Sequence, residues 1–255
     1  MGMRFISRFG HWPATGTWMH GARIGVVAAL DAEARVFSLA GALSHDALIE
    51  VGEQILLCIS GMGPERATAA TDRLIAAGVD GLVSWGTAGA LRSERKPGDL
   101  LLPETVFWAG QCWAVDVAWR GSLAKSLSIP FHAGGVLSVD EPCGSRAAKA
   151  AFLMDYPSAQ GVDMESGAIA AAAHDADTPF IVIRSVVDPA DQSLPAVATT
   201  SVDAYGRPQA LRLARGLLRH PAELSTLLGL GGQMQKALRT LRTVAPALRY
   251  AGKAA

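Results

Sequence analysis

Three acidic side chains in this chain stand where an acid, a base or a hydrogen-bonding anchor would be useful. Glu33 follows the apolar run IGVVAAL (24–30), and Asp188 closes the run FIVIRSVVD (180–188). Glu165 sits in GVDMESGAIAAAA (161–173), where Asp163 and Glu165 bracket Met164 ahead of a helix of small residues. Two glycine-bearing segments accompany them: GMGPE, with Gly63 and then Arg66, after ILLCIS (55–60), and Gly86, Thr87 and Gly89 after GLVSWG (81–86). A carboxylate beside water supplies a base, a protonated carboxyl supplies an acid, and loop amides hold anions.

Those residues need elements to carry them. Apolar runs at 24–30, 55–60 and 81–86 read as buried strands, as do 99–107, 133–139 and 180–188. Helical patterns separate them: DAEARVFSLAGAL from Asp31, ERATAATDRLIAAG closed by Gly78, SRAAKAAFLMD (145–155) and MESGAIAAAAHDA. Alternating strands and helices predict a single α/β domain with a mixed, largely parallel central sheet flanked by helices. Ligands in such sheets gather at the carboxyl ends of strands. Glu33, Glu165, Asp188 and both glycine segments are expected on that one rim.

Composition narrows the class. Half of the 255 residues are apolar and 18% are charged, enough for a sizeable core. The formal net charge is zero, so no nucleic-acid partner is indicated. Cys58, Cys112 and Cys143 form no CxxC, which argues against a disulfide framework or a zinc site and fits a reducing, cytoplasmic setting. No GxGxxG follows the first strand, and the acidic DAEA start would repel a pyrophosphate. We expect residues 1–22 to be a weakly ordered extension, residues 23–220 to be the α/β domain, and residues 221–255 to be a basic, partly amphipathic helical extension. No stretch is apolar for long enough to span a bilayer.

Five stretches carry a resemblance. IGVVAALDAEA, SGMGPERATAA, VSWGTAGAL, GVDMESGAIA and VIRSVVDPAD occur in the order and approximate spacing of the nucleoside phosphorylase/nucleosidase superfamily. That superfamily includes purine nucleoside phosphorylases and methylthioadenosine/S-adenosylhomocysteine nucleosidases. The match spans roughly residues 24–218 and looks most like the hopanoid-associated phosphorylase branch.

The resemblance implies cleavage of a purine N-glycosidic bond. Glu165 matches a ribose-binding glutamate, Met164 a methionine beneath the sugar, and Asp188 a general acid that protonates purine N7. Taken alone, Glu165 reads as a carboxylate favoured at a helix N-terminus, and Asp188 as a turn former before Pro189. Glu33 falls where the family's hydrolases orient water and where bacterial-type phosphorylases carry a phosphate-binding arginine. A second such arginine stands three residues before Thr87; here that residue is Ser84. Carboxylate repels phosphate, so these residues favour hydrolysis. Phosphorolysis, with phosphate as co-substrate, would instead draw on Thr87, the amides of Gly86 and Gly63, and Arg66, which otherwise reads as a solvated helix residue. Arg184 is expected to pair with a carboxylate on the rim.

On the base side, Pro142 and Cys143 in SVDEPCGS occupy the place where nucleosidases carry a stacking aromatic. Trp85 is either a pocket wall or core. From Gly206 onward nine residues are basic and Glu223 alone is acidic, and Leu238, Leu241, Ala245 and Leu248 follow helical spacing. That segment either packs on the domain or lies on an anionic membrane surface. The resemblance thus implies a small adenosyl nucleoside as partner, adenosylhopane first, with a soluble methylthioadenosine/S-adenosylhomocysteine nucleosidase as the alternative. It further implies a homo-oligomer and no metal or organic cofactor, while peripheral membrane contact is an expectation from the basic C-terminal segment.

Overall fold

The computed structural model describes residues 4–6, 21–39, 43–45, 47–221 and 223–250. Among them, twelve strands join in one sheet. They are β1 (Arg4–Ile6), β2 (Ile24–Ala28), β3 (Ile49–Val51), β4 (Ile55–Ile59), β5 (Gly81–Ala90), β6 (Leu100–Leu101), β7 (Thr105–Trp108), β8 (Gln111–Ala114), β9 (Phe131–His132), β10 (Gly135–Ser138), β11 (Ala159–Asp163) and β12 (Phe180–Val186). The helices are α1 (Asp31–Ala34), α2 (Pro64–Ala76), α3 (Val117–Ser126), α4 (Arg146–Asp155), α5 (Ser166–Asp175), α6 (Ala196–Thr200), α7 (Ala210–Arg219) and α8 (Glu223–Tyr250).

Side chains alternate across the sheet, as a period of two requires. Ile24, Val26, Val83, Trp85, Ile181 and Ile183 face one core cluster, which Trp119 of α3 and Leu241 of α8 complete. Val27, Leu56, Leu82 and Val182 face the other, against Ala67, Ala70 and Leu74 of α2 and Ala168 to Ala170 of α5. Covering both faces is why these strands read as continuous apolar runs.

The sheet forks at β5. Gly81–Trp85 pair in parallel with β2, whereas Gly89 and Ala90 pair antiparallel with β11. Throughout this switch β12 stays paired to β5, from Leu82 to Ala88. The segment TAGA, expected as a loop, therefore continues the strand, because partners on either side satisfy its backbone.

Other expectations change as well. The helix expected from Asp31 to about residue 43 stops after α1 and a 3-10 turn, Arg35–Phe37, with Ser38 in the left-handed conformation. The run 99–107 splits around Pro103 into β6 and β7. Strands β3, β8 and β11 and helix α3 stand where no element was expected. The reading of residues 1–22 falls largely outside the described residues; within it, Arg4–Ile6 pairs in parallel with β8.

The basic C-terminal segment is helical, and its apolar stripe is occupied. Leu238, Leu241, Ala245 and Leu248 are buried in the same core as β2 and β5, while Lys236, Arg239 and Arg242 face solvent. Packing on the domain thus wins over an apolar stripe free to meet a membrane. Among the described residues no helix is long and apolar enough to cross one.

Leu241→Ala tests this packing. Truncating a fully buried leucine costs about 2–5 kcal/mol, so the urea midpoint should fall well below that of the parent chain. An unchanged midpoint would contradict the core role of α8.

Candidate active site

Between the carboxyl ends of β2, β5, β11 and β12, the fork opens a cavity of about 310 Å³. Glu33, Thr87, Asp163, Met164, Glu165 and Asp188 all line it. A crevice at a topological switch point is where α/β sheets bind ligands.

Glu33 reaches the cavity floor from α1 and is 3% exposed. Its Oε1 accepts hydrogen bonds from the Thr87 amide at 2.8 Å and the Thr87 hydroxyl at 2.9 Å, and its Oε2 accepts one from the Leu30 amide at 3.0 Å. Burial pushes its pKa up, against the opposing pull of the Arg184 charge and the Thr87 and Leu30 bonds. A glycine is required at position 86, since a Cβ there would lie 2.7 Å from Arg184 Nη1 and 2.8 Å from both Glu33 oxygens.

Glu165 stands at the N-cap of α5, yet its side chain does not cap that helix. It turns instead to the Gly63 amide, 3.0 Å away. The capping is done by Asp163, whose Oδ1 accepts from the Ser166 amide at 3.2 Å. The helix-terminus explanation therefore belongs to Asp163, and Glu165 is left facing the cavity. Its pKa rises to about 7, first through burial and then through the neighbouring charge of Asp163.

Arg184 lies beneath these acids, 2% exposed. Its Nε donates to Asp163 at 2.7 Å, and its Nη2 donates to the hydroxyls of Ser84 at 2.7 Å and Ser166 at 3.0 Å. Burial opposes its charge, but the attraction of Asp163, Glu165 and Glu33 outweighs this and raises its pKa. Asp188, which also lines the cavity, is 4% exposed and forms an ion pair with Lys149 of α4, itself 1% exposed.

The profile of the phosphorylase superfamily matches residues 23–220. The chain belongs to the phosphorylase superfamily. A 5′-methylthioadenosine/S-adenosylhomocysteine nucleosidase of Staphylococcus aureus is 26% identical over 156 residues, covering 53% of this chain and 68% of the relative. The Neisseria meningitidis 5′-methylthioadenosine/S-adenosylhomocysteine nucleosidase, solved with methylthio-immucillin-A, superposes with a TM-score of 0.68 at 19% identity, over 89% of this chain and 98% of that one. The futalosine hydrolase of Helicobacter pylori superposes with a TM-score of 0.61 at 19% identity, over 89% and 98%. These structures share the fold. The chain is an enzyme of glycosyl-transfer chemistry, the class of nucleoside hydrolases and phosphorylases alike.

Within this superfamily member, the remaining candidates separate. Met164, Pro142 and Cys143 line the cavity with Val139 and Val162, and no aromatic side chain does so among the described residues. Burial pushes the Cys143 thiol up, so it is uncharged at neutral pH. Trp85 is fully buried core; it packs on Phe37 at 5.0 Å and donates to the Glu33 carbonyl at 3.3 Å, supporting the acid from behind. Arg66 is exposed and does not line the cavity. Gly63 serves by its amide, and Gly86 by having no side chain. Asp31, beside Glu33 in sequence, turns away to Arg207 and His45, each at 2.7 Å, and so ties down the loop that carries the cavity-lining Gly206.

Sequence reasoning missed Asp163 as the cap and Lys149 altogether. Lys149 lies among alanines in RAAKAAF, a pattern that reads as a solvated helix face. Among the described residues, no group of three or more His, Cys, Asp and Glu is arranged to hold a metal ion.

Glu165 has a stability signature. Its folded pKa, about 7, lies above the ordinary 4.5, so its contribution is fully present below pH 4.5 and is lost as pH rises to about 7. Glu165→Gln removes that dependence. The melting-temperature advantage of Glu165→Gln over the parent chain should grow between pH 5 and pH 7.5. A difference that stays flat with pH would contradict the raised pKa.

Proposed function

We propose that the protein hydrolyses the N-glycosidic bond of a purine nucleoside bearing an apolar 5′ substituent. The observation that carries this reading is the use of Thr87. Both donors that Thr87 could offer a phosphate, its amide and its hydroxyl, are given to the Glu33 carboxylate. The Gly63 amide is likewise given to Glu165. With three carboxylates around one guanidinium and Arg66 outside the cavity, the floor repels an anion and suits a water molecule.

The roles follow from charge. As the C1′–N9 bond breaks, positive charge builds on the ribose, and Glu165 grips the ribose hydroxyls more strongly as it develops. Met164 lies beneath the sugar. Asp188 gives a proton to purine N7, without which the base leaves as a poor anion. Glu33, made more basic by burial, takes a proton from the attacking water. Pro142, Cys143, Val139 and Val162 offer the base an apolar slot without stacking.

Leu194, Ala198, Val202, Leu230 and Met234 also line the cavity, and we assign this apolar lining to the 5′ substituent, as the other arm of the bound nucleoside. The nucleosidase relative brings methylthioadenosine as one substrate of this kind. Adenosylhopane, cleaved to adenine and ribosylhopane, is the extended case, its hydrocarbon following the same arm outward. No resident cofactor enters the proposal.

Adenine release from methylthioadenosine and from a long-chain 5′-alkyl adenosine, each with and without phosphate, tests the reading. We expect release in both buffers and a loss of about 10²–10⁴-fold in kcat for Glu33→Gln, the range for removing a general base. Strict dependence on phosphate, or full activity of Glu33→Gln, would overturn it.

A further inference from the structure

Lys149 has an unusual position for a lysine. It projects from α4 into the protein and is 1% exposed. Its ammonium has three protons and meets three acceptors: Asp188 Oδ2, the Pro189 carbonyl at 2.7 Å and the Gln192 carbonyl at 3.2 Å. A buried ammonium survives only when so satisfied. The helix bearing it is fixed at its start, where Ser145 caps the Ala148 amide at 3.1 Å and the neighbouring Gly144 carbonyl accepts from the Leu194 amide at 2.8 Å. Helix α4 and the segment 188–194 are therefore clamped together across Lys149.

The carboxylate it holds has little freedom left. A Cβ at Gly89 would lie 3.1 Å from Asp188 Oδ2 and 3.2 Å from Oδ1, so the group rests on the backbone of β5. The Asp188 carbonyl accepts from the Ala90 amide at 2.8 Å. Oδ2 is engaged by Lys149, whereas Oδ1 accepts no hydrogen bond among the described residues, and Asp188 lines the cavity. The other titratable group at the pair is the Cys143 thiol, kept neutral by burial.

We propose that Lys149 is a positioning residue: it grips Oδ2 of Asp188 so that Oδ1 is the oxygen presented to the purine. The inference rests on the reading of Asp188 as the acid of the proposed hydrolysis. In that step Oδ1, loaded with a proton from solvent against the pull of the ammonium, passes it to N7 while the C1′–N9 electron pair goes to the base. The carboxylate left behind is paired with the same ammonium, and solvent returns the proton before the next turnover. The three-point grip fixes the donor's direction without consuming a proton from the lysine.

Lys149→Met and Lys149→Arg, each in the Asp188 and the Asp188→Asn backgrounds, test this with methylthioadenosine turnover and calorimetric binding of adenine. With Asp188 present, Lys149→Met should lower kcat about 10²-fold, with KM changed by less than about threefold. In the Asp188→Asn background it should lower kcat by less than about threefold, since a residue that acts through another has nothing left to position. Adenine binding should weaken about tenfold only where Asp188 is present. Lys149→Arg keeps the charge but not the three-point geometry, so it should show a smaller loss with the same dependence on Asp188; it carries the test if Lys149→Met does not fold. Equal losses in both backgrounds, or no loss in either, would overturn the proposal. Full turnover by Asp188→Asn would instead remove the acid role on which the hydrolysis reading stands. If the parent chain cleaves no nucleoside, that reading fails and the adenine cycle alone decides the role of Lys149.

Discussion

The guanidinium of Arg184 is the common counter-charge of the site. Asp163, Glu165 and Glu33 all depend on it, and it is buried beneath them. Charges taken out of water are costly, and one cation cannot fully compensate three carboxylates. The site responds in two ways. Asp163 is tied down by Arg184, by the Ser138 hydroxyl and by the start of α5, so its part is structural. Glu165 and Glu33 are left under-compensated, and their raised pKa values are the consequence. In the proposed hydrolysis, the acid that would grip a developing cation and the base that would take a proton from water both gain from that imbalance.

The backbone meets the same constraint. Bringing Arg184 of β12 against Glu33 of α1 across β5 leaves no room for a side chain at Gly86. The fork of β5 from β2 to β11 occurs just beyond that glycine, so the residue that permits the charge contact sits where the sheet opens. Asp188 has a counter-charge of its own, Lys149. Asp188 and Glu33 are thus held by separate cations.

Much of this was legible in the chain. The strands at 24–28, 55–59, 81–85 and 180–186 are covered on both faces, and such strands announce themselves as unbroken apolar runs. Glu33, Glu165 and Asp188 were found because each stands at the end of an element that the sheet must bring to one rim. Strand β11, with the sequence AQGVD, carries no apolar run, since its place is set by pairing with β5 and β10. The helix expected after Asp31 is cut short because the turn at Ser38 redirects the chain, a tertiary choice that helical spacing does not encode. Lys149 was illegible for a related reason: only the fold brings α4 within reach of residue 188, thirty-nine positions away. For Trp85 and Arg66, where the sequence left two readings open, the structure takes the core and the solvated one: nearness in sequence to a glycine segment placed neither in the cavity.

The central claim is that the floor of the cavity, built around Glu33, holds water rather than phosphate. Turnover of methylthioadenosine in ¹⁸O-water containing saturating phosphate, followed by mass spectrometry of the sugar product, tests it most directly. The account predicts a free 5-methylthioribose with one ¹⁸O atom at its anomeric carbon and no sugar phosphate. A ribosyl 1-phosphate with no ¹⁸O at that carbon would contradict it.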